Sequence, residues 1–286
     1  MNDPEILPPD PAQRPAAQMP SYAYAPPPPS YEPPVRKPKP SWMVSPATHF
    51  LIAVNCIVFL AMLAGRVSLF NPAPEDLLHW GANNAGAVLF FGDWWRIVTA
   101  MFVHVGLLHL ATNMWCLWNL GLLAEPLLGS VGVVAAYILS GAAGNLLSTF
   151  VSQWMYRPDA SEGMVLFGPV GAGASGAVFG LAGVLIILLK SPLLPIPPQE
   201  LKGLRKSVIL FAAINLVIGL GTMFPGSVVR IDNMAHLGGF ACGLIFALPL
   251  VPRIGAPRGQ FLTRRRIAVG MMVLLETLFG FYLAQF

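Results

Sequence analysis

Three groups of polar residues stand out because each lies within or at the end of a long apolar segment. A glycine-rich run, Gly171-Ala172-Gly173-Ala174-Ser175-Gly176, opens one such segment with a serine near its start. His236 lies near the start of another segment, and His109 and Asn113 lie in a third. Polar side chains in hydrocarbon are costly unless they pair, line a cavity or react. These residues are therefore the candidates for chemistry.

The chemistry that this set indicates is nucleophilic catalysis by a serine. At a helix N-terminus, Ser175 would lie among unpaired backbone N–H groups that stabilise an oxyanion. His236 could accept the proton of the serine hydroxyl. His109 and Asn113 are four residues apart and share one helix face, so both could donate hydrogen bonds to the same oxyanion. Taken singly, each residue also has a structural interpretation, as a small packing residue or an interfacial hydrogen-bonding group.

A metal site is the other chemistry that the histidines could suggest. His104 and His109 are five residues apart, which would place them on different faces of a predicted helix. No His-Glu-x-x-His motif and no third ligand accompany them. We therefore expect neither a metal nor another cofactor.

The composition indicates that membrane-spanning helices position these groups. The chain has 286 residues, of which 55% are hydrophobic and only 10% are charged, whereas soluble domains carry about 25% charged residues. The long, continuous apolar segments lack the alternation of a lipid-spanning β-barrel. The formal net charge of +4 comes from basic residues beside apolar segments, so membrane topology explains it without nucleic-acid binding.

Seven apolar segments have about the length needed to cross a bilayer. They are residues 46–64, 102–123, 131–151, 172–189, 208–224, 231–251 and 267–286. With the N-terminus inside, thirteen of the seventeen basic residues fall on the inner side. This split is what the positive-inside rule predicts for seven spans with a cytoplasmic N-terminus and an external C-terminus.

The same pattern divides the chain into three parts. Residues 1–41 form a proline-rich tail, because fourteen of the 28 prolines lie in the first forty residues; we expect it to be disordered and cytoplasmic, either a solvated tether or a binding segment for a cytoplasmic partner. Residues 42–251 hold the first six predicted spans, with an aromatic, interfacial outer loop at about 65–95. Residues 252–286 form a basic loop and a seventh helix. We expect a bacterial plasma membrane as the simplest setting, because the sequence shows no organelle-targeting segment before the first span.

Glycines predict how two of these helices pack. Gly176 and Gly180 are four residues apart in the fourth span, and Gly239 and Gly243 have the same spacing in the sixth. Small residues at this spacing let membrane helices approach closely. Such a contact would bring Ser175 within reach of His236.

These motifs resemble those of the rhomboid intramembrane serine proteases. The resemblance covers most of the chain after the tail. It is carried by Trp95-Arg96, by His104, His109 and Asn113, by Gly121, Glu125 and Gly129, by Gly173-Ala174-Ser175-Gly176, and by Ala235, His236, Gly239 and Gly243.

The resemblance implies an all-α polytopic membrane helix bundle, with a six-helix core plus one C-terminal transmembrane helix. It implies Ser175 as nucleophile and His236 as general base, in a dyad without an acidic third member. His109, Asn113 and the Ser175 backbone N–H would bind the oxyanion, while Arg96 and His104 would order the outer loop and the entry of the second span. Gly173 and Gly239 belong to the motifs. Phe179 stands where many members have a tyrosine, and its ring could stack on the catalytic histidine.

The activity implied is hydrolysis of a peptide bond in or beside a transmembrane helix of a membrane-protein substrate, near the outer face of the bilayer. The alternative is a non-catalytic rhomboid-like protein that binds transmembrane helices for quality control or trafficking. A transporter or channel would need charged residues deep in several spans, and Glu276 is alone in that position. Three interpretations of Glu276 stay open: a functional intramembrane carboxyl, pairing with a polar group such as Asn145 or Asn215, or a protonated side chain.

Overall fold

The structure is a computed structural model that describes residues 44–155, 168–221, 231–251 and 257–285. The chain divides into two units, Met1–Pro38 and Lys39–Phe286. The first unit lies wholly outside the described residues, and so do the rest of the predicted tail, Arg157, Arg230, Arg253 and Phe286.

The described residues contain ten α-helices, which we number α1 to α10, and two short 3-10 turns at Ala100–Phe102 and Leu248–Leu250. The helices are α1 Pro46–Ala64, α2 Pro74–His79, α3 Ala85–Leu89, α4 Arg96–Thr99, α5 Leu107–Leu128, α6 Ser130–Met155, α7 Ser175–Leu188, α8 Pro198–Gly221, α9 Asn233–Ala247 and α10 Arg258–Leu283. No strand occurs in these ranges; an isolated bridge joins Asn83 to Gly171. The predicted all-α, polytopic class is confirmed.

Each of the seven predicted spans contains at least part of a helix, but the helices differ in length. Five helices, α1, α6, α8, α9 and α10, are long and apolar enough to cross a membrane. A sixth span results if α4 and its 3-10 turn are counted with α5, which follows at an angle of 94°.

Helix α7, which begins with Ser175, has only 14 residues and is about 21 Å long. It packs against α9, α6 and α5, and Leu181, Val184 and Leu185 on it are completely buried. The preceding loop is non-helical although the sequence predicted a span from residue 172. Irregular backbone at membrane depth is stable where protein surrounds it and supplies hydrogen bonds.

The predicted glycine contact between the fourth and sixth spans is present. A Cβ atom added at Gly239 would overlap the carbonyl oxygen of Gly176, and one at Gly243 would overlap that of Gly180. The backbones of α7 and α9 therefore touch, because any side chain at these positions would separate them.

Glu125 joins the start of α1 to the end of α5. Its carboxylate accepts hydrogen bonds from Ala47 N at 2.9 Å, Thr48 N at 2.8 Å and Thr48 Oγ1 at 2.7 Å. Ser130 Oγ donates a further bond at 2.6 Å. Gly121 leaves room for this junction, since a Cβ atom there would collide with the Thr48 side chain. The acid thus satisfies N–H groups that the first turn of α1 cannot satisfy itself.

We expect Glu125→Gln to lower the free energy of unfolding by about 1.5 to 3 kcal/mol, because charge-assisted bonds become neutral and one acceptor oxygen is lost. Reversible denaturation in mixed micelles measures this change. Glu75→Gln is the matched control: Glu75 is exposed in the first turn of α2, and its replacement should cost less than about 0.5 kcal/mol. Equal effects at the two positions would contradict a structural role for the Glu125 junction.

The last helix differs from expectation in two ways. It begins at Arg258 rather than near residue 267, so Arg264, Arg265 and Arg266 lie within the helix and not in a loop. Glu276 is not the hydrogen-bond partner of either amide suggested from the sequence: Asn145 Nδ2 donates to Ile97 O and Asn215 Nδ2 to Phe211 O. Its described partner is Cys242 on α9, whose Sγ lies 3.7 Å from Glu276 Oε1.

Candidate active site

Ser175 is the first residue of α7, and the loop before it is held at three successive points. Gly171 and Asn83 exchange backbone bonds of 2.7 and 2.8 Å, and Gly173 N donates to Ala100 O at 2.9 Å. Ala174 N donates to His104 Nε2 at 3.4 Å. Ser175 therefore starts a helix whose first backbone N–H groups have no intrahelical acceptor. The positive end of the helix dipole lies there and favours negative charge.

His236 lies in the first turn of α9 and is only 5% exposed. The Phe179 ring stacks on its imidazole, with centroids 4.2 Å apart and planes inclined by 12°. Phe179 is one turn after Ser175 in α7, so both side chains leave the same face of that helix. Together with the Gly176 and Gly239 backbone contact, this stacking directs the Ser175 face of α7 toward His236.

The Nδ1 atom of His236 has no acidic partner in the described part of the chain. It is buried and makes no hydrogen bond to the described residues. Asp232, one turn earlier, caps α9 instead: its Oδ1 accepts from Ala235 N at 2.9 Å, and its Oδ2 accepts from Ser148 Oγ. Burial raises the pKa of the Asp232 carboxyl, and these bonds act in the opposite direction. The carboxylate nearest in sequence thus anchors the helix rather than the ring.

His109 and Asn113 reach the same region from α5. The His109 ring lies against Gly173, where an added Cβ atom would meet its Cε1 at 2.6 Å, and Gly173 has a φ of +130° that favours glycine. Val105 N donates to His109 Nδ1 at 3.3 Å, which leaves the ring proton of a neutral imidazole on Nε2. Asn113 Nδ2 donates to His109 O at 2.9 Å and has a second hydrogen to give. Each side chain thus retains an N–H donor.

The helix-face argument about His104 and His109 was wrong. Helix α5 begins only at Leu107, because Gly106 adopts a φ of +92°, so His104 lies before the helix. The two rings approach to 5.4 Å between centroids. His104 is fully buried and contacts Phe102 O through Nδ1 at 3.2 Å. In the described ranges no group of three or more His, Cys, Asp or Glu side chains could hold a metal, and His104 instead supports the loop before Ser175.

Arg96 organises the segment between α1 and α5. Its Nε pairs with Asp93 at 2.9 Å, and its Nη1 donates to Leu78 O and Ala82 O. The guanidinium also lies 4.4 Å from the ring centroid of Trp95. These contacts fix residues 78–96, a segment that includes Asn83, and Asn83 pairs with Gly171 in the loop before Ser175.

Sequence analysis missed two residues that shape the site. Asn83 pairs with Gly171 and extends Nδ2 to Asn145 O and Thr149 Oγ1 on α6, at 3.3 and 3.2 Å. No local pattern predicts such long-range contacts. Asp232 did have a signal, since an Asp three residues before Ala235 at the start of an apolar helix is typical of an N-cap.

The family model described as the Rhomboid domain matches residues 92–253, which include all the side chains proposed for the site. The chain belongs to the rhomboid family. Similar proteins include Rhomboid protease GluP of Bacillus subtilis, 27% identical over 82% of this chain. Rhomboid protease AarA of Providencia stuartii is 29% identical over 82% of the chain and 83% of its own length. RHOMBOID-like protein 7 of Arabidopsis thaliana is 32% identical over 67% of the chain.

The matched part covers 40% of GluP and 56% of RHOMBOID-like protein 7, so these relatives carry further sequence. Family membership confirms the resemblance stated from the motifs. It agrees with an integral membrane protein whose spans are the apolar helices of the bundle. Rhomboids that are named proteases occur among the relatives, which makes the chemistry of Ser175 the central question.

Proposed function

We propose that this rhomboid is an intramembrane serine endopeptidase that uses Ser175 and His236 as a catalytic dyad. The observation that carries the proposal is the stacking of Phe179 on His236, one turn after Ser175 in a helix in backbone contact with α9. A serine and an imidazole on adjoining helices, near unpaired N–H donors, are the parts that acyl transfer requires.

In the proposed reaction, His236 accepts the Ser175 hydroxyl proton while Oγ attacks the scissile carbonyl carbon. The oxyanion receives hydrogen bonds from the Ser175 backbone N–H, His109 Nε2 and Asn113 Nδ2. The C–N bond breaks as His236 returns the proton to the leaving amine, which gives an ester on Ser175. Water then gives a proton to His236 and attacks the ester carbon. The C–Oγ bond breaks as His236 returns that proton to Ser175 Oγ, and the carboxylic acid product leaves.

The proposed substrates are membrane proteins cleaved within or beside a transmembrane helix. A helical peptide bond is shielded by its own hydrogen bonds, so the substrate has to unwind locally before Ser175 can attack. We therefore expect cleavage to be favoured by helix-breaking or small residues in the substrate. These residues should lie at the end of its transmembrane helix that is level with Ser175.

The charge distribution supports an orientation with the site at the outer face. Of the ten Lys and Arg residues in the described ranges, only Arg66 and Arg96 lie in the half of the bundle that contains Ser175. The other eight are Lys190, Lys202, Arg205, Lys206, Arg258, Arg264, Arg265 and Arg266. By the positive-inside rule, the half that holds these eight residues faces the cytoplasm, and the half that contains Ser175 faces outward. We propose a bacterial plasma membrane, a cytoplasmic N-terminus and an external C-terminus.

The direct test is reconstitution of the full chain in liposomes with a tagged single-pass membrane protein that has a glycine-containing outer end. We expect time-dependent appearance of two fragments, and mass spectrometry should locate the cut at that end. Stable binding of the substrate without any cut would favour the non-catalytic, helix-binding alternative. Cleavage only in the soluble part, far from the membrane, would contradict the proposed substrate class.

Asn113→Ala should lower kcat by about 100-fold with less than a threefold change in KM, because the lost N–H donor acts on charge that develops in the transition state. Initial rates over a range of substrate fractions in the bilayer measure both constants. Asn119→Ala is the matched control, since Asn119 also lies on α5 and bonds its own helix at Trp115 O. A pure KM effect at Asn113 would assign it to substrate binding or structure.

A further inference from the structure

Three arginines, Arg258, Arg265 and Arg266, lie at the end of the bundle opposite Ser175. Two of them, Arg258 and Arg265, share one face of α10 with Phe261, because these residues are spaced three and four apart. Phe261 packs against the hydrophobic core, which means that this face looks into the bundle. Arg265 Nη1 donates to Leu128 O at 2.9 Å. Arg258, Arg265 and Arg266 are called the arginine cluster below.

Glycines make room for the cluster between three helices. A Cβ atom at Gly129 would meet Arg265 Nη1 at 3.2 Å, and one at Gly132 would meet Arg265 Cδ at the same distance. The Arg265 stem thus lies in a groove between α10, the end of α5 and the start of α6. Its head remains at the groove's mouth, beside the exposed Arg258 and Arg266.

The positive charge of the cluster is not neutralised within the described chain. The charges of Arg258 and Arg266 act repulsively on Arg265. The one ion pair in the described ranges joins Arg96 and Asp93, in the other half of the bundle. A guanidinium carries five N–H donors, and for Arg265 one bond to a described residue is present. The cluster therefore offers charge and donors to an external anion.

The depth of the arginine cluster in the membrane indicates which anion it binds. The apolar part of α10 begins at Ile267, directly after Arg266, so the cluster lies where the chain passes between hydrocarbon and water. Lipid phosphates occupy this level, and guanidinium groups bind phosphate oxygens through paired hydrogen bonds. We propose that the arginine cluster binds the headgroup of an anionic phospholipid, such as phosphatidylglycerol, and that the lipid holds α10 against α5 and α6.

Native mass spectrometry of the full chain in a non-ionic detergent tests this proposal. Short-chain phosphatidylglycerol and phosphatidylcholine are titrated separately, and we expect about tenfold tighter binding of phosphatidylglycerol. The double variant Arg258→Gln/Arg266→Gln keeps the Arg265 bond to Leu128 but should reduce the preference to within twofold. Lys202→Gln/Lys206→Gln removes two exposed charges from the same half of the bundle and should keep the full preference.

Thermal unfolding of each variant verifies that the comparison is made on folded protein. If the double variant unfolds, the single variants Arg258→Gln and Arg266→Gln replace it, each with an expected threefold loss of preference. Equal affinity of the wild type for the two lipids would overturn the proposal, and so would an equal loss in the lysine variant. Displacement of phosphatidylglycerol by an equal concentration of inorganic phosphate would also overturn it, because the site would then be one for a free anion.

Discussion

Ser175→Ala and His236→Ala are each expected to reduce cleavage of a transmembrane substrate by at least about 1,000-fold. The first removes the proposed nucleophile, and the second removes the imidazole that stacks on Phe179 of the Ser175-bearing helix. Because the two groups act as a unit, the double variant should be no slower than either single one. Fragment formation in liposomes measures all three rates.

Two controls separate loss of chemistry from loss of structure. Ser207→Ala alters an exposed serine that bonds its own helix at Gly203 O, and His79→Ala alters an exposed histidine on α2. Both should keep activity within twofold of the wild type, and all four single variants should keep their melting temperature within a few degrees. More than a tenth of wild-type activity in Ser175→Ala would contradict the assignment of the nucleophile.

Gly239→Ala should lower the cleavage rate by about 100-fold and the melting temperature by several degrees. The added methyl group would overlap Gly176 O, next to Ser175, so α7 and α9 have to separate. Overpacking of this kind costs about 1 to 3 kcal/mol, and a shift of about 1 Å between reacting groups can cost 100-fold in rate.

Gly270→Ala is the matched control for this variant. Gly270 is also in a transmembrane helix, but a Cβ atom there would meet nothing within 4 Å. Because alanine favours the helix more than glycine does, activity should be unchanged and stability unchanged or slightly higher. Wild-type activity in Gly239→Ala would mean that the glycine contact does not set the distance between the two proposed catalytic groups.

The features that sequence predicted well depend on spacing and on apolar length. Four-residue glycine repeats predicted the contact of α7 with α9, and it is present at Gly239 and Gly243. Continuous apolar segments predicted the order of the main helices, of which five, or six if the bent pair counts as one span, are long and apolar enough to cross a membrane. The family motifs predicted that Phe179 could stack on His236, and the rings do stack.

The features that sequence predicted poorly depend on contacts between distant segments. Asn83 and Gly171 are 88 residues apart, and their pairing keeps the loop before Ser175 extended, so α7 is shorter than its apolar segment. Gly106 delays the start of α5, which moves His104 off the helix. The early start of α10 reflects the good helix propensity of arginine, whereas a basic run beside a membrane segment suggested a loop. The partner of Glu276 depends on how α10 packs against α9. The local sequence of neither helix determines that packing.

Labelling of the full chain with a fluorophosphonate probe, followed by peptide mapping, tests the central claim most directly. The probe reacts with a serine only where a base and an oxyanion site activate it, so its use needs no substrate. We predict one phosphonylated residue, Ser175, and no labelling in Ser175→Ala or His236→Ala. Absence of label in the wild type, beside a rhomboid protease that labels under the same conditions, would contradict an activated Ser175, as would undiminished labelling in His236→Ala.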